Sequence, residues 1–198
     1  MSDRYPSEIE IGGKVPRSKM EGLIQAINCQ ECSGDWGDKY ISLPNPEDEP
    51  PEVLAAAIQE LLKFVTSENG KGIAKNTLWF CDEEASWGEL TEIEEYCVEN
   101  DIGFRRRSSS YGEYSSEIKE FRQGMKVYDV YTTDNEGHPI INGTFVKALV
   151  EKAEALLKEG ATQLTLTDLQ KATETVRHLL PVEVAELEPF EIIEELES

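Results

Sequence analysis

Apolar residues recur along this chain at two spacings, and the changes between them mark out the predicted elements. Ile9 and Ile11 alternate with Glu8 and Glu10, which predicts a strand over 5–11 at a half-buried sheet edge. After Gly12-Gly13 the spacing lengthens. Met20, Leu23, Ile24 and Ile27 form a helical stripe, opened by a capping box of Ser18 and Glu21. A short strand is expected at Tyr40-Ile41-Ser42-Leu43. The acidic, proline-rich run from Pro44 to Pro51 then leads into the clearest helical pattern, with Val53, Leu54, Ala57, Ile58, Leu61, Leu62 and Val65 on one face. Thr77-Leu78-Trp79-Phe80-Cys81 is a continuous apolar run and predicts a central strand buried on both faces.

A second capping box, Ser86 and Glu89, precedes a helix that turns Leu90, Ile93 and Cys97 inward. Phe104 to Arg107 suits a strand, residues 108–124 carry no clear period, and Tyr128 to Tyr131 suits another strand. Asp134-Asn135-Glu136-Gly137 is a turn, with Pro139-Ile140-Ile141 as a hairpin return. Helices are expected over 144–159 and from a third capping box, Thr167 and Gln170, to Leu180, with a last strand over 182–187. The Glu-rich end has no basic residue and is expected to fray.

Strands thus alternate with helices through the first hundred residues. The pattern predicts an α+β or α/β fold, a mixed or largely parallel sheet with about five covering helices. One globular domain over 1–180 followed by an acidic segment over 181–198 fits the chain, with a division near residue 75 as the alternative.

Composition narrows the classes of partner. Among 198 residues there are 40 acidic and 19 basic ones, for a net charge of −21. Such a surface repels nucleic acid and anionic membranes, and favours basic partners, cations or plain solubility. Mimicry of a nucleic-acid backbone by carboxylates is a sharper version of the same reading. No apolar leader follows Met1-Ser2-Asp3-Arg4 and no stretch has the length of a membrane span, so a cytoplasmic location is expected. The sequon Asn142-Gly143-Thr144 then carries no meaning.

Candidate chemistry is sparse. Cys29 and Cys32 form a C-x-x-C, but at the end of a helix, where the dipole does not lower a thiol pKa. Cys81 and Cys97 lie far off in apolar settings and complete no metal site. His138 and His178 stand apart from any nucleophile arrangement. The Asp134 turn lacks the alternating ligands and late glutamate of a calcium loop. No phosphate-binding glycine loop is present, Gly70-Lys71-Gly72 being only a lysine between two glycines. No catalytic residue, metal or cofactor is assigned.

The exception is Arg105-Arg106-Arg107, which breaks a stretch without Lys or Arg from Asn76 through Phe104. Tyr111, Tyr114 and Arg122 follow closely. Guanidinium groups beside aromatic rings suit a phosphate, a carboxylate or a stacked base. Strand alternation puts Arg105 and Arg107 on one face and Arg106 on the other. The bland alternative is that these arginines neutralise the chain's own acids.

The segments Trp87-Gly88-Glu89-Leu90-Thr91-Glu92-Ile93-Glu94, Tyr111-Gly112-Glu113-Tyr114 and Phe121-Arg122-Gln123-Gly124-Met125 resemble a pattern in uncharacterised bacterial, plasmid and phage proteins, over residues 79–135. The resemblance implies a mobile-element or bacterial accessory protein and adds no catalytic residue. Two functions are therefore expected. The first is a non-enzymatic acidic protein engaging a basic protein partner. The second is an enzyme or sensor holding a small anionic ligand through Arg105, Arg107, Tyr111, Tyr114 and Arg122. A structural subunit of an oligomer is a third class.

Overall fold

The computed structural model describes residues 3–45, 51–66, 76–109, 115–134, 138–140, 147, 150, 151, 154, 181 and 184–194. Its first strand, β1 (Arg4–Gly12), is followed by β2 (Lys14–Pro16), α1 (Met20–Gln30) and α2 (Pro51–Leu61). Then come β3 (Leu78–Ser86), α3 (Thr91–Glu99), β4 (Gly103–Ser108), β5 (Ser116–Phe121), β6 (Asp129–Thr133) and β7 (Glu191–Ile193). The architecture is α+β, with three helices delimited among the described residues rather than about five. The helices expected over 144–159 and 167–180 fall largely outside those residues, although Lys147, Val150, Glu151 and Glu154 are helical.

Five strands form one sheet in the order β3-β1-β4-β5-β6, and every neighbouring pair is antiparallel. This corrects the mixed or largely parallel sheet. The strand–helix–strand unit β3-α3-β4 does join two strands that run the same way, but β1 lies between them, antiparallel to both. The crossover pattern in the sequence is real; the strand that fills the gap comes from earlier in the chain. β1 is thus central rather than an edge, and β3 is the edge rather than central. Short bridges from Ser33 and Val65 cover part of the β3 edge.

One sheet face carries the core. Ile9 and Ile11 of β1, Leu78 and Phe80 of β3, Phe104 of β4 and Phe121 of β5 pack against Leu23, Ile24 and Ile27 of α1 and Ile93 and Cys97 of α3. Ala57, Ile58 and Leu61 of α2 close the cluster. These belong to the apolar stripes read from the sequence, and burying them drives the three helices onto the sheet, although Leu62 of the expected α2 face is exposed.

Three local expectations are corrected. Ser18 does not cap α1: a short 3-10 turn, Arg17–Lys19, precedes it, and the helix begins at Met20 without a side-chain cap. Ser86 does not cap α3 either. Trp87 and Gly88 both take left-handed backbone (φ 57° and 70°), which postpones the helix to Thr91. The strand expected at 40–43 is an extended segment instead, tied down by bonds from Ile41 N to Cys32 O and between Asn28 and Leu43.

The C-terminal residues 184–194 dock on the body rather than fraying. β7 pairs in parallel with β2, Gly13 N donates to Glu188 O at 3.0 Å, and Phe190 is buried with its N–H on Asn76 O. No strand forms over 184–187; among the described residues the last strand lies at Glu191–Ile193.

Candidate functional site

β4 separates its arginines by strand alternation, as expected. Arg106 sits opposite Ile9 and shares the core face, where its side chain is 1% exposed. Its partner across the next strand is Lys119, so two cations stand directly opposite one another. Like charges in that position repel. Glu94 of α3 resolves the conflict by reaching down between them: Oε1 lies 3.0 Å from Arg106 Nε and Oε2 lies 2.6 Å from Lys119 Nζ. Oε1 also accepts the N–H of Leu90 at 2.9 Å, at the start of α3. Glu117 takes a second donor of Arg106, and the Lys119 ammonium lies 4.1 Å from the centre of the Tyr128 ring. The network anchors α3 to β4 and β5. Sequence reasoning missed it, although one clue was present: Glu94 falls on the same helical stripe as Leu90, Ile93 and Cys97.

On the opposite face Arg105 and Arg107 are partners of Glu10 and Glu8 across β1. Arg105 Nε lies 3.4 Å from Glu120 Oε1 and Arg107 Nη1 lies 3.8 Å from Glu8 Oε1. Tyr131 donates its hydroxyl to Glu120 Oε2 at 3.2 Å. Burial, followed by the Glu120 charge, pushes the Tyr131 hydroxyl pKa up, which keeps its proton in place.

Arg105 and Arg107 line one groove of about 500 Å³, together with Glu8, Trp36, Ser116 and Thr133. Trp36 is 43% exposed, and its ring meets that of Trp79 edge-on at 6.0 Å. Arg122 lies elsewhere. It donates to the carbonyls of Ala185 (2.7 Å), Phe104 (2.8 Å) and Phe121 (3.0 Å) and to Glu120 (2.9 Å). Its fork is spent on holding the C-terminal segment against the ends of β4 and β5. Tyr111 and Tyr114 lie outside the described residues, as does His178. His138 is exposed and bonded to Asp134.

The cysteines divide by access. Cys29 is exposed, whereas Cys32, Cys81 and Cys97 are buried. Burial raises the pKa of Cys32 and Cys81 to about 12, and that of Cys97 further still. The nearby carboxylates Asp35, Glu8, Glu83 and Asp82 add to the effect at Cys81. Only a thiolate attacks electrophiles. Iodoacetamide at neutral pH should therefore modify Cys29 quickly and the other three only on unfolding, a pattern read by mass spectrometry with and without denaturant. Early modification of Cys32 would mean that the loop after α1 opens readily. Among the described residues, no group of three His, Cys, Asp or Glu is placed to hold a metal ion, and no helix is long and apolar enough to cross a membrane.

The outer surface is acidic. Glu92, Glu95 and Glu99 line the exposed side of α3, Glu83 and Glu84 stand on β3, and Glu31, Asp35 and Asp38 flank Trp36. Comparison with protein-family models, curated proteins and solved structures gave no match.

Proposed function

We propose that this chain is a non-enzymatic acidic binding or accessory protein that engages a basic protein partner. The observation that carries the reading is where its cations go. Arg105, Arg106, Arg107, Lys119 and Arg122 all pair with the chain's own carboxylates: Glu120, Glu94, Glu117 and Glu8. The positive charge of this half of the sheet is neutralised internally, and the acidic excess is left outside on α3, β3 and the Trp36 loop. A surface of one sign steers partners of the other.

Selection from a library of basic peptides at low ionic strength, followed by calorimetry on the selected sequence, tests this proposal. The expected result is saturation at a defined stoichiometry, with affinity falling steeply as salt shortens the screening length from about 30 Å at 0.01 M to about 8 Å at 0.15 M. Finding no binder at low ionic strength, where attraction is strongest, overturns it.

A second reading, the binding of a small anionic ligand, is favoured by one observation. Arg105 and Arg107 come together in the same groove. Acetate titrated into the chain and into its Arg105→Gln, Arg107→Gln double variant tests it: binding to the first alone is expected, and binding to neither overturns it.

A further inference from the structure

We infer that the groove between α3 and the β5–β6 end of the sheet holds a basic segment of the partner protein, in which an apolar side chain is flanked by lysines or arginines, an inference that rests on the acidic-binder reading and gives it a surface. The floor of the groove is apolar and open. Tyr128 lines it and is 47% exposed. Val130 is 42% exposed and lies on the same face, since it stands opposite Lys119, which also lines the groove. Val127, just before them, is 71% exposed. Large apolar residues exposed side by side mark a contact surface.

The wall is acidic. Glu95 and Glu99 of α3 and Glu89 before it face the same space. Glu92, Glu95 and Glu99 stand three and four residues apart, so they share one side of the helix and repel one another. Glu99 ends α3, at the negative end of the helix dipole, where a cation is favoured, yet the last turn carries no basic residue. Among the described residues, no lysine or arginine pairs with Glu89, Glu92, Glu95 or Glu99. Lys119 does not compensate them. Its ammonium is 2.6 Å from Glu94 Oε2, and with Arg106 and Glu117 these residues make a neutral set of two cations and two carboxylates. The same ammonium lies 4.1 Å from the centre of the Tyr128 ring, so that ring already serves as a platform for a cation of this chain.

Floor and wall together specify the occupant. A polyamine or a metal ion would use the carboxylates and leave the apolar floor wet. A peptide with an apolar residue between basic ones uses both, and the volume of about 480 Å³ takes a few side chains rather than a folded domain.

Three ligands titrated into the full chain and followed by proton–nitrogen correlation NMR test this: the capped peptide Lys-Lys-Trp-Lys-Lys, its Lys-Lys-Ser-Lys-Lys counterpart, and spermidine. At an ionic strength of about 0.1 M, charges more than about 10 Å apart are screened, so local contacts decide the outcome. The tryptophan peptide should bind one-to-one, shift the amides of α3 and of 127–131, and bind roughly fivefold or more tightly than the other two. In Tyr128→Ala that preference should vanish. The Glu95→Gln, Glu99→Gln variant keeps the side-chain shapes and relieves repulsion within α3, and it should weaken the peptide roughly five- to tenfold. The Glu83→Gln, Asp38→Asn variant removes the same charge beside β3, at the opposite edge of the sheet, and should weaken it less than about twofold. If the two variants weaken binding equally, the attraction is diffuse and the inference falls, while the acidic-binder reading stands. If the serine peptide or spermidine binds as tightly, the floor is not engaged and the inference falls in the same way. If this peptide fails while other basic peptides bind, the inference alone is lost; if no basic peptide binds even at about 0.01 M, both fail together.

Discussion

Glu94→Ala should destabilise the protein by about 3–5 kcal/mol, the range for removing one partner from a buried ion pair. The Glu94 side chain is 2% exposed, accepts the N–H of Leu90 and forms ion pairs with Arg106 and Lys119. Its loss leaves Arg106 buried beside a like charge with only Glu117 to balance it. Lys119, at 15% exposure, has a route to water along its own stem. Arg106 has none. The double variant Glu94→Leu, Arg106→Met should therefore recover much of the loss, since it replaces both ends by apolar groups of similar bulk, and Glu117, 37% exposed, can turn to solvent. Urea unfolding of the three proteins provides the check. A single-variant cost under about 1 kcal/mol, in the range of an exposed pair, would mean that water reaches the network.

Gly12→Ala should evict the C-terminal strand. A Cβ at Gly12 would lie 2.1 Å from the carbonyl oxygen of Glu188 and 2.9 Å from Leu187 Cγ. Because the nearer obstacle is backbone, no rotamer change relieves it. The segment must move away, which breaks Gly13 N to Glu188 O and uncovers Phe190. Exposing that ring alone costs about 2 kcal/mol. Hydrogen exchange should show protection lost across 188–193, with β1 and β4 unchanged. Gly13→Ala is the control. Its Cβ would meet nothing within 4 Å, but its φ of +92° strains an L-residue. That variant should lose about 1–2 kcal/mol with β7 still protected. Equal loss of protection in both would show that backbone strain, and not the clash, governs docking.

The three helices and the first strand were legible because their charged and apolar residues fall on separate faces. β5 was not. In Ser116–Phe121 both faces carry charge, Glu117 and Lys119 toward α3 and Glu120 toward Arg105, because the strand is held by ion pairs on each side. An alternation of charge with charge has no hydrophobic period to detect. The separation of Arg106 from Arg105 and Arg107 followed from the two-residue repeat. Whether each arginine met a partner depended on α3 and β5, which no local pattern specifies. Arg122 shows the same limit: in sequence it belongs with the arginine run, and in space it belongs to the C-terminal segment. The docking of that segment was hidden because its contacts are mostly main-chain bonds, which acidic side chains neither reveal nor prevent.

The β2–β7 ladder has a consequence for the order in which the molecule forms. Lys14 pairs with Glu191, so a strand made early waits for a partner far along the chain. The antiparallel neighbours β4-β5-β6 and the helices between β1 and β4 can assemble while the chain is still emerging, since their partners are near in sequence and loop closure is cheap. β2 cannot close until translation has delivered Phe190 and the three residues after it, and contacts of such long separation form slowly. A nascent chain that stalls earlier would hold its sheet with that side open, and so remain distinguishable, to a chaperone or a protease, from one in which β7 has docked.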